Sequence, residues 1–155
     1  MNQARIELQA ACDAVQRARD EANKPARILF VDDDPGICKM FARLTSRHNC
    51  VIDYANDGLV AERRALSAGY DLIILDIGLP HKSGIEVFRT IRANNVTTPV
   101  AILTGIFDDR VATECNAIGY ADHVRKPDDF GNQKFFNEML ASKHISKLPE
   151  PEIEP

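Results

Sequence analysis

Short apolar runs alternate with amphipathic stretches between residues 27 and 143, and this alternation restricts the fold more than any other feature of the sequence. The runs have the length of β-strands and occupy residues 28–31, 51–54, 72–75, 100–103 and 123–125. Most of them are too apolar for an exposed sheet edge. Buried strands separated by helices are typical of a parallel sheet that helices cover on both faces. We therefore predict a doubly wound α/β domain.

Helical signals fill the intervals between these runs. Asp34 and Pro35 supply a capping carboxylate and a proline suited to the first helical position. Ser83 and Glu86 have the spacing of a capping box, in which each side chain accepts a hydrogen bond from an otherwise unpaired backbone amide. Periodic apolar residues then predict helices that begin at 35 and 84 or lie within 58–68, 108–117 and 131–143.

The order of the strands predicts where a ligand binds. Consecutive βα units with short connections require right-handed crossovers, and 2-1-3-4-5 is the commonest order of five strands that satisfies them. This is the flavodoxin-like arrangement. Ligands of such open sheets bind beyond the carboxyl ends of the strands, where the order reverses between strands one and three.

Four of the predicted strands end at a charged or hydroxyl-bearing residue. Strand one ends at Asp32, Asp33 and Asp34, strand three at Asp76, strand four at Thr104 and strand five at Lys126. Asp34 alone is well explained as a cap for the helix that follows it. Capping does not explain the whole set, because the four strand ends converge on the predicted crevice.

Carboxylates brought together at this edge would repel one another. Asp32 and Asp33 follow strand one, and Asp76 follows four apolar residues of the neighbouring strand. A bound cation is the simplest way to keep all three carboxylates ionised. Oxygen ligands with room for water suit Mg²⁺, or Mn²⁺ in its place, better than Zn²⁺.

The same residues are suited to phosphoryl transfer. A carboxylate such as that of Asp76 is a competent nucleophile toward phosphorus and forms an aspartyl phosphate. The hydroxyl of Thr104, the charge of Lys126 and a metal ion would neutralise the phosphoryl oxygens. The sequence offers no histidine or further carboxylate as an evident general base. We therefore predict a phosphate acceptor rather than a turnover enzyme.

With these residues identified, residues 27–143 resemble the receiver domains of bacterial two-component response regulators, here in a single-domain form. The resemblance rests on residues 28–35, 71–80 with Gly84, 99–104 and Lys126-Pro127, in that order. It implies that Asp76 is the phosphorylation site. Asp33, Asp76 and the backbone carbonyl of Gly78 would bind Mg²⁺ directly. Asp32 would help through a water molecule.

The resemblance also implies a switch and its partners. A histidine kinase or a phosphotransfer protein would donate the phosphoryl group. Thr104 would bind a phosphoryl oxygen, and Lys126 would pair with the acceptor site. The surface formed by the helix within 108–117, the strand at 123–125 and the helix within 131–143 would then change and contact a downstream protein. The Lys126–Pro127 peptide bond would be cis.

Three positions depart from the family pattern. His123 stands where an aromatic residue usually moves with Thr104; its imidazole either serves that switch, with a sensitivity to pH, or is an ordinary surface side chain. Gly105 stands where the family usually has alanine, which predicts a looser loop after strand four. Ile106 is apolar where a polar side chain often influences the hydrolytic water. We therefore predict slow loss of phosphate, and rapid self-dephosphorylation of the purified protein would contradict this.

Both ends of the chain extend beyond the receiver-like region. Residues 1–26 predict a helix with a small and apolar stripe that consists of Leu8, Ala11, Val15, Ala18 and Ala22. This helix either forms a homodimer or binds a partner, or else it folds onto its own domain or frays. The second alternative is favoured because the stripe is mostly alanine. Residues 144–155 are rich in proline and acid and are predicted to be disordered.

Composition narrows the function classes. The 155 residues carry a net charge of −4, which argues against direct nucleic-acid binding. The four cysteines lack metal-ligand spacing and are predicted to be free, buried thiols. The sequence indicates neither a secretory signal nor a membrane span. A reducing cytoplasm fits this observation and the free cysteines. Output is expected to pass through protein contacts.

Two other classes remain open. A Mg²⁺-dependent phosphatase of the haloacid dehalogenase type also uses a nucleophilic aspartate, but it needs a second acid two residues later, where this chain has Gly78. A receiver-like interaction module that signals without phosphate would not require Asp76, Thr104 or Lys126. The presence of all three residues argues against that module.

Overall fold

The structure is a computed structural model that describes residues 2–67, 69–105, 109–119, 122–125, 132–143, 145 and 148, with residues 122–125 described by their backbone. In these segments the strands are β1 (Ala26–Val31), β2 (Cys50–Ala55), β3 (Leu72–Asp76), β4 (Val100–Thr104) and β5 (Asp122–Arg125). The helices are α1 (Gln3–Asn23), α2 (Pro35–Thr45), α3 (Gly58–Ser67), α4 (Gly84–Ala93), α5 (Asp109–Ile118) and α6 (Gln133–Ser142). These elements lie within a few residues of the predicted ones.

The described strands form one parallel sheet in the order β2-β1-β3-β4-β5. β1 pairs with β2 on one side and with β3 on the other, so the order reverses next to β1. The predicted flavodoxin-like, doubly wound fold with an additional N-terminal helix is confirmed. The crevice that such a reversal creates lies at the carboxyl ends of β1 and β3.

Alternate residues of the central strands enter two apolar layers. Leu29 and Ile73 belong to the cluster that α3, α4 and α5 complete, whereas Ile28 and Ile74 belong to the cluster that α2 and α6 complete. Every residue of β3 is buried. A central strand covered on both faces is apolar on both faces. For this reason β3 reads as a continuous apolar run that ends at Asp76.

Three phenylalanines fix α2 against the sheet. Phe41 of α2 lies nearly parallel to Phe30 of β1 at a centroid distance of 4.2 Å, and edge-on to Phe136 of α6 at 6.1 Å. All three side chains are fully buried, and aromatic pairs in such geometries add about 0.5–1.5 kcal/mol to the effect of burial. Because α2 begins at Pro35, this packing also holds residues 32–34 at the edge of the sheet.

The predicted helix caps are formed. At the start of α2, Asp34 Oδ1 accepts a hydrogen bond from the amide of Gly36 at 2.8 Å. At the start of α4, Ser83 Oγ accepts from the amide of Glu86, and the Glu86 carboxylate accepts from the amide of Ser83, both at 3.3 Å. The capping box fixes the end of the loop that follows Asp76.

Replacing Ser83 with alanine removes half of this box and should lower the free energy of unfolding by about 1 kcal/mol. Urea denaturation of the two proteins measures the difference. Ser67→Ala is the matched control, because the Ser67 hydroxyl donates to the Arg64 carbonyl at the C-terminal end of α3 rather than at the start of a helix. Its effect should stay below about 0.5 kcal/mol. Equal stability of Ser83→Ala and the wild type would show that the box contributes nothing.

α1 is a complete helix whose residues are all exposed. Leu8 is 66% exposed and Val15 is 54% exposed. The prediction that this stripe folds onto its own domain is therefore wrong for the described residues, and the prediction that the helix frays stays a prediction. At the last residue of α1, Asn49 Nδ2 donates to the carbonyl of Asn23 at 3.0 Å.

The C-terminal segment is described at two positions after α6 and Lys143. Ile145 is buried, and the amide of Leu148 donates to the carbonyl of Arg47 at 2.7 Å. The other residues of the predicted disordered tail lie outside the described residues. Among the helices that the structure describes, none combines the length and apolar composition of a membrane-spanning segment.

The cysteines, all of which are described, are thiols as predicted. Cys115 is buried, Cys38 and Cys50 are half-buried, and Cys12 is exposed. The prediction of burial was thus wrong for Cys12, because it lies on α1, whose residues are all exposed.

Candidate functional site

Three carboxylates meet at the carboxyl edge of the sheet. One oxygen atom each from Asp32, Asp33 and Asp76 lies within 4.8 Å of the other two. β1 and β3 pair with Val31 opposite Leu75, so Asp32 and Asp76 emerge side by side. Asp32 and Asp76 are buried, whereas Asp33 is exposed. The cluster is therefore open to solvent on its Asp33 side.

Backbone amides orient two of these carboxylates. Asp32 Oδ1 accepts a hydrogen bond from the amide of Asp34 at 2.9 Å, and Asp76 Oδ1 accepts one from the amide of Gly78 at 3.3 Å. The third acid of the run, Asp34, turns its carboxylate to the amide of Gly36. Asp34 thus acts as the helix cap that its sequence position predicts.

The donor set fits a hard divalent cation. It consists of three carboxylates, which are the ligands that Mg²⁺ and Mn²⁺ prefer in proteins. Negative charges at this range repel one another, and a cation between them offsets that repulsion. The exposure of Asp33 leaves room for the water ligands that Mg²⁺ retains in most protein sites.

Thr104 ends the neighbouring strand β4 and is buried. Asp76 pairs with Leu103 across the sheet, and the amide of Ile77 donates to the Leu103 carbonyl at 3.2 Å. Thr104 therefore lies one residue beyond the level of Asp76, at the edge where the carboxylates meet. The structure thus brings four predicted site residues to one edge of the sheet: Asp32, Asp33, Asp76 and Thr104.

The other predicted site residues are described in part or not at all. His123 belongs to β5, whose backbone pairs it with Ile102 of β4, and its side chain lies outside the described part of the chain. Lys126, Pro127 and Ile106 lie outside the described residues. Their roles remain predictions.

Residues 77–83, called here the β3–α4 loop, carry Gly78 past the carboxylates. The loop closes through a hydrogen bond from the amide of Gly84 to the carbonyl of Ile77 at 3.0 Å. A Cβ atom on Gly84 would overlap the carbonyl oxygen of Asp76. Glycine is the residue that permits this approach of one backbone to another. Gly84 thus lets α4 begin directly against the backbone of Asp76.

An apolar groove of about 490 Å³ adjoins the cluster. Its lining includes Asp33, which precedes α2, Pro35 and Cys38 from the start of α2, and Tyr54 from the end of β2. Burial raises the pKa of the Tyr54 hydroxyl above its ordinary value, with smaller contributions from Cys38 and Cys50. The sequence did not predict this groove, because its two walls are separate in the sequence and are brought together by the strand order.

The doubly wound sheet and the acidic cluster at its carboxyl edge define a flavodoxin-like receiver domain. Residues 28–134 match the family model of the response regulator receiver domain. The chain belongs to this family. It is accordingly a receiver domain of the two-component response regulators, which are signalling proteins.

Relatives and solved structures agree with this assignment. Transcriptional regulatory protein ResD of Bacillus subtilis (strain 168) is 36% identical over 108 residues, which cover 70% of this chain and 44% of ResD. The structure of chemotaxis protein CheY4 of Vibrio cholerae matches with a TM-score of 0.67 at 27% identity. The match covers 76% of this chain and 98% of the CheY4 chain.

A further solved structure bears on the metal. The receiver domain of sensor histidine kinase PA1611 from Pseudomonas aeruginosa has a TM-score of 0.67 at 25% identity and covers 77% of this chain and 98% of its own. It contains a magnesium ion coordinated in its active site cleft. The chain spans less than half the length of ResD and of other curated relatives of similar identity.

Proposed function

We propose that the chain is a cytoplasmic phosphoacceptor of two-component phosphorelay signalling, phosphorylated on Asp76 in the presence of Mg²⁺. The observation that carries this proposal is the carboxylate cluster, in which buried Asp76 has an oxygen within 4.8 Å of oxygens from Asp32 and Asp33. A bound Mg²⁺ would offset the repulsion between these carboxylates and neutralise the phosphoryl oxygens. Membership of the receiver family supports the same function.

Four groups of this chain would hold the metal. Asp33, Asp76 and the backbone carbonyl of Gly78 would bind Mg²⁺ directly, and Mn²⁺ would substitute for it. Asp32, which lies deeper and already accepts the amide of Asp34, would act through a water molecule. The magnesium ion in the Pseudomonas aeruginosa receiver domain supports this choice of metal.

In the transfer step, a carboxylate oxygen of Asp76 forms a bond to phosphorus while the bond between phosphorus and the donor group breaks. With a histidine kinase or a phosphotransfer protein as donor, the leaving group is the imidazole of a phosphohistidine. With acetyl phosphate it is acetate. Thr104 would donate a hydrogen bond to a phosphoryl oxygen, and Lys126 would supply a positive charge.

The output would be a change of surface. Thr104 and His123 would couple phosphorylation to the surface formed by α5, β5 and α6, which a downstream protein would recognise in one of its two arrangements. The net charge of −4 supports a protein rather than a nucleic acid as the partner. In a homodimer, the fully exposed α1 would be the dimerisation element.

Treatment of the purified chain with acetyl phosphate and Mg²⁺, followed by intact mass spectrometry, tests this proposal. We expect one phosphoryl adduct per chain, and none when EDTA removes the metal. No adduct under either condition would favour the interaction module that signals without phosphate. Steady hydrolysis of p-nitrophenyl phosphate would favour the phosphatase, although Gly78 stands where that enzyme needs its second acid.

A further inference from the structure

The β3–α4 loop is joined to α3 by contacts that have no part in the proposed phosphoryl transfer. Gly58, the first residue of α3, donates its amide to the carbonyl of Pro80 at 3.2 Å. A Cβ atom on Gly58 would overlap the carbonyl oxygen of Lys82. The start of α3 and the backbone of the loop are therefore in direct contact, which a glycine at this position permits.

A partly buried ion pair reinforces this contact. Lys82 Nζ bonds to the carboxylate of Glu62 on α3 and to Thr90 Oγ1 of α4 at 3.0 Å. The side chains of Lys82 and Glu62 are 23% and 24% exposed, so water screens their attraction less than that of an open surface pair. Lys82 thus ties the loop to two helices at once.

The backbone between these contacts is strained. His81 has a φ of 68°, a left-handed conformation that is uncommon for residues other than glycine. Its Nδ1 lies 3.8 Å from the carboxylate of Asp57, whose other oxygen accepts the amide of Val60 in the first turn of α3. Strain of this kind persists where the surroundings over-determine the backbone. The contacts of Pro80 and Lys82, on either side of His81, supply that constraint.

We propose that Lys82 and Glu62 are positioning residues for the metal site. They hold the β3–α4 loop, and with it the carbonyl of Gly78, in the geometry that Mg²⁺ binding requires. This inference rests on the proposed function. Mg²⁺ demands near-ideal octahedral geometry, so a small displacement of one ligand weakens binding. Lys82 lies four residues after Gly78 in this short loop, whose ends are β3 and α4. The proposal requires that a shift at Lys82 also moves the carbonyl of Gly78.

Lys82→Met removes the charge and keeps an unbranched apolar side chain. We expect the dissociation constant for Mg²⁺, measured by calorimetric titration, to rise about tenfold, as it does when a partner that orients a metal ligand is lost. Glu62→Gln should have the same effect. Phosphorylation by acetyl phosphate should slow at limiting Mg²⁺ and recover at saturating Mg²⁺. The charge-swapped double variant, Lys82→Glu with Glu62→Lys, should regain part of the affinity.

Lys134→Met is the matched control. It breaks the Lys134–Glu138 pair on α6, whose lysine is 84% exposed, and should leave the dissociation constant unchanged. Unchanged Mg²⁺ affinity in Lys82→Met and Glu62→Gln, with or without a lower melting temperature, would overturn the positioning role. Absence of Mg²⁺ binding by the wild-type chain would instead overturn the proposed function on which this inference rests.

Amide hydrogen exchange of the wild-type chain tests the coupling even where a variant does not fold. Mg²⁺ should slow the exchange of the Gly58 and Lys82 amides, because the metal and the contacts with α3 would hold the same β3–α4 loop. If saturating Mg²⁺ leaves the exchange rates of these two amides unchanged, the coupling between the metal site and α3 is contradicted.

Discussion

Asp33→Asn is expected to raise the dissociation constant for Mg²⁺ about 100-fold and to slow phosphorylation at low Mg²⁺ in proportion. The substitution keeps the size of the side chain and removes one unit of negative charge from the exposed side of the cluster. Two unit charges 4 Å apart interact by about 4 kcal/mol at an effective dielectric constant of 20. Solvent screening at the exposed side chain reduces that value, and a factor of about 100 in affinity corresponds to about 2.7 kcal/mol.

Asp34→Asn is the control for this substitution, because it removes the same charge from the adjacent residue. Asp34 caps α2 through the amide of Gly36, and asparagine caps helices as well as aspartate does. Calorimetric titration of Asp34→Asn should return the wild-type affinity. Equal losses in both variants would mean that net charge, rather than the placement of Asp33, governs metal binding.

Gly84→Ala should destabilise the protein by about 1–3 kcal/mol, the range for a side chain forced into a packed site. The sign is diagnostic, since alanine is ordinarily the better helix former of the two residues. The added Cβ would overlap the carbonyl oxygen of Asp76, so α4 or the backbone of Asp76 must move. Phosphorylation of Asp76 should slow as well, because the displaced residue is the proposed nucleophile.

Gly69→Ala is the matched control for this second prediction. Apart from Gly69 itself and its chain neighbours, no described residue has a heavy atom within 4 Å of a Cβ added at Gly69. This substitution should therefore leave stability unchanged or raise it by about 0.4–1 kcal/mol. Urea denaturation measures both variants. If Gly84→Ala proves as stable as the wild type, the close approach of α4 to the backbone of Asp76 is not a constraint on the fold.

Much of the fold and of the acidic cluster was predictable because the signals are local. Each buried strand of a doubly wound sheet is an apolar run, and β3 ends at Asp76 as its run does. Asp34 and Ser83 mark the starts of α2 and α4 by the hydrogen bonds that they accept. Parallel strands bring their carboxyl ends to one edge, so Asp32, Asp76 and Thr104 had to lie near one another once the strand order was known.

The contact between α3 and the β3–α4 loop could not be predicted from local signals in the sequence. Glu62 lies on a helix whose periodicity predicts which face is buried, but not which loop side chain meets it. Lys82 stands in a loop without periodicity, and the two residues meet because the close approach at Gly58 permits it. The stripe on α1 had the same limit, since Leu8 and Val15 indicated an amphipathic helix without indicating what it contacts.

The position of the phosphoryl group decides whether Asp76 is the acceptor. The wild-type chain and Asp76→Asn are treated with acetyl phosphate and Mg²⁺, digested, and mapped by peptide mass spectrometry. The carboxylate cluster predicts one phosphoryl group, on Asp76, which is absent without Mg²⁺ and absent from Asp76→Asn. A phosphoryl group on another residue of the wild type, or undiminished labelling of Asp76→Asn, would contradict it.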